Sequence, residues 1–144
     1  MQKRMKLLKN QKGMTLVELL AVLVILGIIA AIAVPMIGNA ISESKQKGEL
    51  NDALNIIAAA KLADANGEAL ETVGTGGNGY TKATLTDKGY LDDSVSEFTG
   101  VTKSNKGQWT LVGFTFSKND KYKGDRAKTP SEANLKKSLK ELQK

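Results

Sequence analysis

The chain has 144 residues, enough for one small domain and an N-terminal extension. It contains no cysteine and no histidine, which excludes a disulfide framework and removes the usual zinc ligands and the commonest general base. Its formal net charge of +6 invites a nucleic-acid or other polyanionic partner. The lack of cysteine and histidine leaves few residues for catalysis or metal binding, and we expect a protein that is not an enzyme and that holds no metal or other cofactor.

Most of the net charge lies in the first 13 residues. They include five basic side chains and no acidic one: Lys3, Arg4, Lys6, Lys9 and Lys12. Without them the chain has 16 basic and 15 acidic side chains, a net charge of +1. Basic residues beside an apolar helix hold that end of the helix on the cytoplasmic side of a membrane. The charge therefore indicates membrane topology more than nucleic-acid binding.

An apolar segment follows this basic stretch. Residues 19–37 carry no charged or hydrogen-bonding side chain, and a helix of about 20 apolar residues spans a bilayer. Glu18 stands at the head of the segment. A carboxylate at membrane depth is costly, so it marks a functional position and needs a partner. Cleavage after Gly13 would supply one, because the new α-amine of Met14 lies one helical turn from Glu18 or near Glu18 of a packed neighbour.

Residues 12–18 read Lys-Gly-Met-Thr-Leu-Val-Glu. With the apolar helix behind it, this run resembles the class III signal of type IV prepilins. The resemblance implies that a prepilin peptidase cuts between Gly13 and Met14 and methylates the new amine of Met14. It also implies that Glu18 neutralises the N terminus of a neighbouring subunit during filament assembly.

The same resemblance implies a division of the chain into three parts. Residues 1–13 are a prepilin leader, residues 14–40 a transmembrane and filament-core helix, and residues 41–144 a globular head that includes the second half of the long helix. Two other interpretations of the N terminus stay open. An ordinary secretory signal would use Ala31-Ile32-Ala33 as its cleavage site, but its apolar region would then contain Glu18 and continue past the site. An uncleaved membrane anchor leaves Glu18 unexplained.

Three residues weaken the apolar helix: Gly27, Pro35 and Gly38. Glycine and proline are poor interior residues of a helix, and Pro35 also removes one backbone hydrogen bond. We therefore expect a kink within residues 31–35. The resemblance to pilins implies local flexibility at these positions when the subunit enters the filament. A merely curved membrane helix is the alternative, because glycine and proline are tolerated in such helices.

Past the apolar segment the helical pattern resumes and continues through Ala65. Apolar residues recur there at helical spacing and form a wide face, comprising Leu50, Ala53, Leu54, Ile56, Ile57, Ala59, Ala60, Leu62 and Ala63. So wide a face suits a helix covered by its own head on one side and by neighbouring helices on the other. Asn66-Gly67 predicts the end of the helix.

A glycine-rich stretch at residues 74–79 matches G-x-G-x-x-G. A dinucleotide site needs this motif between a strand and a helix inside a βαβ unit, and that context is absent, so we expect an exposed surface loop. Residues 81–91 predict a short helix closed by Gly89. Nearby acidic residues lack the spacing of a calcium loop and are interpreted as a solvated turn: Asp92, Asp93 and Glu97.

The clearest strand pattern covers residues 108–117. Its apolar alternation changes register near Gly113, which predicts a β-bulge there. A turn at residues 104–107 predicts an antiparallel partner strand at residues 98–103. Alternation in a strand usually marks burial, so we interpret the aromatic side chains of this strand as core rather than as a binding platform: Trp109, Phe114 and Phe116.

The last 27 residues, 118–144, hold nine basic and four acidic side chains. Residues 129–132 have the spacing of a capping box, with Thr129 as the cap and Pro130 in the first helical position. Three leucines then follow at helical spacing and predict an amphipathic helix: Leu135, Leu139 and Leu142. The lysines of this helix could contact DNA phosphates or anionic cell-wall polymers, namely Lys136, Lys137 and Lys140. A solvated helix face is the alternative interpretation.

Taken together, these features predict an α+β protein with the type IV pilin fold, in which a long N-terminal helix packs on a small antiparallel sheet. The implied function is that of a structural subunit of a surface pilus. Its implied partners are further copies of itself, a prepilin peptidase, the pilus assembly machinery and membrane lipid before assembly. A competence pilin that serves DNA uptake and a monomeric membrane-anchored or secreted binding domain are the alternatives. The lack of cysteine is compatible with a Gram-positive origin.

Overall fold

The computed structural model describes the backbone of residues 2–117 and 130–144, and the side chains of residues 15–117 and 130–144. The chain divides into two compact units, Met1–Ile41 and Ser42–Lys144. Its elements are the helix α1 (Gln2–Ala65), the strands β1 (Glu71–Val73) and β2 (Gly77–Thr81), the helix α2 (Lys82–Asp87), the strands β3 (Gly100–Lys103) and β4 (Trp109–Val112), and the helix α3 (Glu132–Leu142). We call the described part of the second unit the head.

The long helix α1 contains Pro35 and continues past it to Ala65. Its end is the one that the sequence predicts. Gly67 has a φ of +82°, which suits glycine because it has no Cβ, and the backbone N–H of Glu68 donates to the carbonyl of Ala63 at 3.1 Å. This is the usual way in which a left-handed glycine closes a helix.

Four antiparallel strands form one sheet in the order β1-β2-β3-β4. The predicted hairpin at its end is confirmed, since β3 pairs with β4 and the turn between them is closed by a hydrogen bond from Gly107 N to Ser104 O at 2.9 Å. The predicted strand at residues 108–117 is too long. Strand β4 ends at Val112, and Gly113 has a φ of +75°.

Gly113 therefore ends the strand instead of forming a bulge inside it. The chain passes so close to Thr99 here that a Cβ on Gly113 would lie 2.1 Å from Thr99 Oγ1. The predicted change of register is confirmed, because Trp109 and Leu111 before the glycine and Phe114 after it are all buried.

The glycine-rich stretch is not the surface loop that the sequence predicted. Residues 74–76 form a tight turn between β1 and β2, and Gly77 and Gly79 lie within β2. A Cβ on Gly79 would lie 1.8 Å from the carbonyl oxygen of Val101 in the next strand. The glycines thus allow β2 and β3 to approach each other closely.

The core of the head lies between the second half of α1 and the sheet. The ring of Tyr80 stacks on that of Trp109 with 6.4 Å between the ring centroids, so the prediction that the aromatic side chains form core is confirmed. The buried cluster comprises Leu50, Ala53, Ile56, Ile57, Ala60 and Ala63 of α1, Tyr80, Val101, Trp109 and Leu111 of the sheet, and Leu85, Phe98, Phe114 and Leu135.

The two short helices begin at polar caps. Helix α2 is shorter than predicted but has Thr81 as its N-cap and Gly89, at a φ of +76°, behind it. Helix α3 begins at Glu132 with Ser131 as its N-cap, so the predicted cap at Thr129, which lies outside the described residues, is wrong. Pro130 precedes the helix because its carbonyl accepts a hydrogen bond from Leu111 N at 3.0 Å.

The two residues before α3 pair with the outer edge of β4. Besides the bond between Leu111 and Pro130, Thr110 forms a β-bridge with Ser131. The apolar face of the helix is the predicted one: Leu135 is buried, and Leu139 and Leu142 are half-buried against the same core.

Candidate assembly site on the N-terminal helix

The proposed cleavage junction lies inside a helix. Gly13 and Met14 both belong to the backbone of α1, and Met14 precedes Glu18 by four residues, or one helical turn. The structure describes the side chains of this unit from Thr15 onward. Cleavage between Gly13 and Met14 and methylation of Met14 therefore stay predictions.

The apolar segment of α1 has its hydrophobic side chains exposed on every face. Within residues 15–41 every described side chain except half-buried Ala33 is exposed, and the large apolar ones are 52–67% exposed. A helix starting at Thr15 is long and apolar enough to cross a membrane, with a mean hydropathy of 3.0 in its most apolar window. By these measures it is a candidate membrane span.

Such exposure is unfavourable in water. Full burial of a Val, Leu or Ile side chain contributes about 1.5–3 kcal/mol, and this segment has many of them more than half exposed. A helix that is apolar all round is one that lies in a membrane or in the interior of a larger assembly. The segment therefore requires lipid or other helices around it.

Glu18 is the acidic side chain at the head of this apolar surface. Its side chain is exposed, and within the described residues it has no hydrogen bond or ion pair. Thr15 and Val22 lie on the same side of the helix, three residues before and four after it. The carboxylate is thus a single negative charge in apolar surroundings, and a cation that approached this face would be attracted to it.

The predicted flexible positions lie on the same helix. A Cβ on Gly27 or on Gly38 would meet nothing within 4 Å. Packing within the described chain therefore does not require glycine at either position, and each glycine lowers the helix propensity by about 1 kcal/mol relative to alanine. Local flexibility at Gly27, Pro35 and Gly38 stays a prediction.

The three lysines that the sequence analysis grouped on α3 have different environments in the structure. Lys136 pairs with Glu132 one turn earlier, with 2.7 Å between Nζ and Oε1, and Lys61 of α1 pairs with the same carboxylate. Lys137 and Lys140 are exposed. Hydrogen bonds from Lys136 and Lys61 lower the pKa of Glu132. Sequence spacing reveals the Glu132–Lys136 pair, but the contact with Lys61 spans 71 residues and has no local signal.

The acidic side chains after α2 make local contacts. The carboxylate of Asp92 accepts a hydrogen bond from the backbone N–H of Ser94 at 2.9 Å, and hydrogen bonds from Ser94 lower the pKa of Asp92. Glu97 pairs with Lys82, with 2.8 Å between Nζ and Oε1. Among the described residues, no group of three or more Asp, Glu, His or Cys side chains could hold a metal ion.

Sequence reasoning missed one further polar residue. Gln46 of α1 is only 4% exposed, and within the described part of the chain neither atom of its amide has a hydrogen-bond partner. Its environment contains Glu49, whose carboxylate accepts hydrogen bonds from the backbone N–H and the hydroxyl of Ser117. The sequence around Gln46 does not indicate that it is buried, because a glutamine in a helix is usually exposed.

Comparison with known proteins identifies the N-terminal part of the chain. Residues 8–34 match the family model of the prokaryotic N-terminal methylation motif, and this range includes Gly13, Met14 and Glu18. Neither curated proteins nor solved structures give a significant match to the chain. The matched motif is the class III signal peptide of type IV pilins, and together with the long helix on a small antiparallel sheet it supports the assignment of this chain as a type IV pilin-like prepilin.

Proposed function

We propose that this chain is a structural subunit of a type IV pilus filament. A prepilin peptidase removes residues 1–13 and methylates Met14, and the mature subunits then assemble through their N-terminal helices. The observation that carries the proposal is the apolar surface of residues 15–41, exposed all round, with a single carboxylate at its head. A pilin-like chain is structural rather than enzymatic, so its proposed role is to build and not to catalyse.

Before assembly, the apolar segment of the proposed subunit lies in the cell membrane as a single span. Lipid covers its exposed leucines, isoleucines and valines, and the five basic residues of the leader hold its N terminus on the cytoplasmic side. After cleavage, the pilus assembly machinery transfers the subunit from lipid into the filament. There, helices of other copies replace the lipid, and the head lies at the cell surface.

The carboxylate of Glu18 has a specific part in this transfer. Cleavage after Gly13 creates a positive α-amine at Met14, and an opposite charge on a neighbouring copy is the partner that the carboxylate needs. A pair between Glu18 of one subunit and Met14 of another favours one axial position of the two helices. The apolar surfaces then provide most of the association energy, and the charge pair sets the register.

DNA uptake as a competence pilin is the second candidate. The observation that favours it is the exposed pair Lys137 and Lys140 on α3, neither of which forms an ion pair with a described residue. Loss of transformation without loss of surface filaments, in a strain that lacks this chain, would support the competence role. Loss of the filaments themselves would support the structural role in a pilus.

The proposal is tested by mass spectrometry of the mature protein from membranes and from sheared surface filaments. We expect an N terminus at methylated Met14 in both fractions. Gly13→Leu should abolish processing, because a bulky side chain replaces the smallest one at the junction, whereas Gly13→Ala should retain part of it. A mature chain that begins at Val34 would instead show an ordinary secretory signal and overturn the assignment.

A further inference from the structure

Cleavage after Gly13 would give helix α1 a new beginning. In the structure α1 is continuous over Gln2–Ala65, so the junction between Gly13 and Met14 lies inside it. Each backbone N–H of an α-helix donates to the carbonyl four residues earlier. The amides of residues 14–17 therefore depend on the carbonyls of residues 10–13, and all of these carbonyls would leave with the leader. At membrane depth no water replaces them, so the shortened helix needs a cap.

The residues at the start of the shortened helix have the spacing of a capping box. In this motif a Ser or Thr at the N-cap is followed three residues later by Glu or Gln, and each side chain accepts a hydrogen bond from the other residue's backbone N–H. Thr15 and Glu18 have this spacing. The residue before the cap, Met14, and the residue four after it, Leu19, are both apolar, as in the hydrophobic staple that accompanies such a cap. Two signatures of a helix start thus coincide at the proposed cleavage junction.

The uncleaved structure already places these side chains close together. Thr15, Glu18 and Leu19 line one shallow hollow on the surface of α1. Glu18 is exposed and has no hydrogen bond or ion pair with a described residue, whereas Thr15 already has a contact in the uncleaved chain. Leu19 is 58% exposed. The carboxylate of Glu18 is therefore accessible to a backbone N–H at the new helix start, and Leu19 is accessible to the side chain of Met14.

We propose that cleavage creates a capping box at the new start of α1, with Thr15 as the N-cap and Glu18 as its partner. The backbone N–H of Glu18 donates to the hydroxyl of Thr15, and the backbone N–H of Thr15 donates to the carboxylate of Glu18. Before cleavage the box does not form, because both N–H groups are bonded within the continuous helix. Thr15 is thus a positioning residue that holds the carboxylate at the helix start while the single subunit lies in the membrane.

This inference rests on the proposed function, because the box requires processing at Met14. It gives the carboxylate of Glu18 two successive partners, first a backbone N–H of its own chain and then the amine of a neighbouring copy. Two substitutions separate the box from the charge. Glu18→Gln removes the charge but keeps the box, since glutamine also serves at this position of the motif. Thr15→Val keeps the charge and the shape of the cap residue but removes the hydroxyl.

Hydrogen exchange of single backbone amides, followed by NMR on the processed chain in detergent micelles, tests the box. Thr15→Val should speed exchange of the Glu18 amide about fivefold, because it removes a cap of ordinary strength. Thr15→Ser retains a hydroxyl and should bring the exchange rate back to within about twofold of the wild-type value. Glu18→Gln should leave the amide of residue 18 as protected as in the wild type.

The matched control is the uncleaved chain, which the variant Gly13→Leu provides. Helix α1 continues past Thr15 in that chain, so Thr15→Val should leave exchange of the Glu18 amide unchanged. Equal effects of Thr15→Val in both chains, or no effect in the processed chain, would overturn the capping box. Mass spectrometry of the same samples distinguishes this failure from that of the proposed function, because a mature chain that does not begin at Met14 would overturn both.

Discussion

The two units of this chain differ in how far they bury their leucine side chains. In the head, Leu50, Leu111 and Leu135 are at most 1% exposed. In the apolar segment, leucines such as Leu20 and Leu23 are 60% and 57% exposed. Both units contain leucines, but only the head contains elements that fold back and cover these three. The head therefore completes its core within one chain, whereas the segment depends on an environment that other molecules supply.

The difference shows where mutations should act. A change in the head core should alter the free energy of unfolding of the isolated subunit. A change in the apolar segment should leave that quantity unaltered and should act on membrane insertion or on assembly. The four predictions that follow test this division, and they begin with the largest expected effect.

Glu18→Gln should reduce the yield of surface filaments at least about tenfold. The substitution keeps the shape of the side chain and removes the charge that attracts the α-amine of Met14, and a carboxylate at membrane depth costs about 3 kcal/mol without a partner. Processing after Gly13 and accumulation in the membrane should be normal, as measured by immunoblots of membrane and sheared fractions. Glu141→Gln, on the exposed face of α3, is the control. A normal filament yield from Glu18→Gln would show that apolar packing alone drives assembly.

Gly79→Ala should destabilise the head by about 3 kcal/mol, because an added Cβ meets the carbonyl oxygen of Val101 at 1.8 Å and forces β2 away from β3. The same substitution at Gly27 meets nothing within 4 Å and should leave head stability within about 0.5 kcal/mol. Thermal unfolding of the full-length variants in detergent, followed by circular dichroism, compares them. Equal effects at the two glycines would contradict the division between the units.

Glu132→Gln should cost about 1 kcal/mol of head stability, because the carboxylate pairs with Lys61 and Lys136 and joins α3 to α1. The folded pKa of Glu132 lies below the ordinary value of about 4.5. This stabilisation is therefore fully present above that value and is lost as the pH falls through the folded pKa. Urea unfolding at pH 7 should give a lower free energy of unfolding for the variant than for the wild type. At pH 2 this difference in free energy should be smaller. A constant difference would mean that the charge is not its cause.

Replacing Lys136, Lys137 and Lys140 with glutamine should weaken DNA binding by assembled filaments and flatten its dependence on salt. Because Lys136 is already paired with Glu132, the double variant of Lys137→Gln and Lys140→Gln should account for most of the effect. Filter binding over a series of salt concentrations measures both quantities, and Lys106→Gln, in the turn before β4, is the control. Unchanged affinity and salt slope would leave α3 with a solvated face and no role in binding.

The features that the sequence predicted correctly are those with a local signal. The end of α1 follows from Asn66-Gly67, and the hairpin of β3 and β4 follows from alternation on both sides of a turn. The apolar segment and the methylation motif are also local, because the first depends on an uninterrupted apolar run and the second on a short sequence. Each of these signals lies within a few turns of helix or one strand, so physical rules for single elements were sufficient.

The features that the sequence failed to predict depend on contacts between distant residues. Strand β2 contains Gly77 and Gly79, which are poor strand formers alone and are favoured only because β3 approaches them closely. The N-cap of α3 is Ser131 and not the predicted Thr129, because the carbonyl of Pro130 accepts a hydrogen bond from β4. The buried amide of Gln46 was likewise not predicted, since neither its burial nor its lack of a partner among the described residues has a sequence pattern.

The two edges of the sheet affect whether the sheets of neighbouring heads can pair with each other. Strand β1 at one edge is only three residues long, and at the other edge Pro130 and Ser131 occupy hydrogen-bonding positions of β4. Open edges of long strands invite pairing between molecules, and short or covered edges suppress it. In the proposed filament, many heads would lie side by side at very high local concentration. With these edges, neighbouring heads would touch without pairing their sheets, and each subunit would stay a separate folded unit.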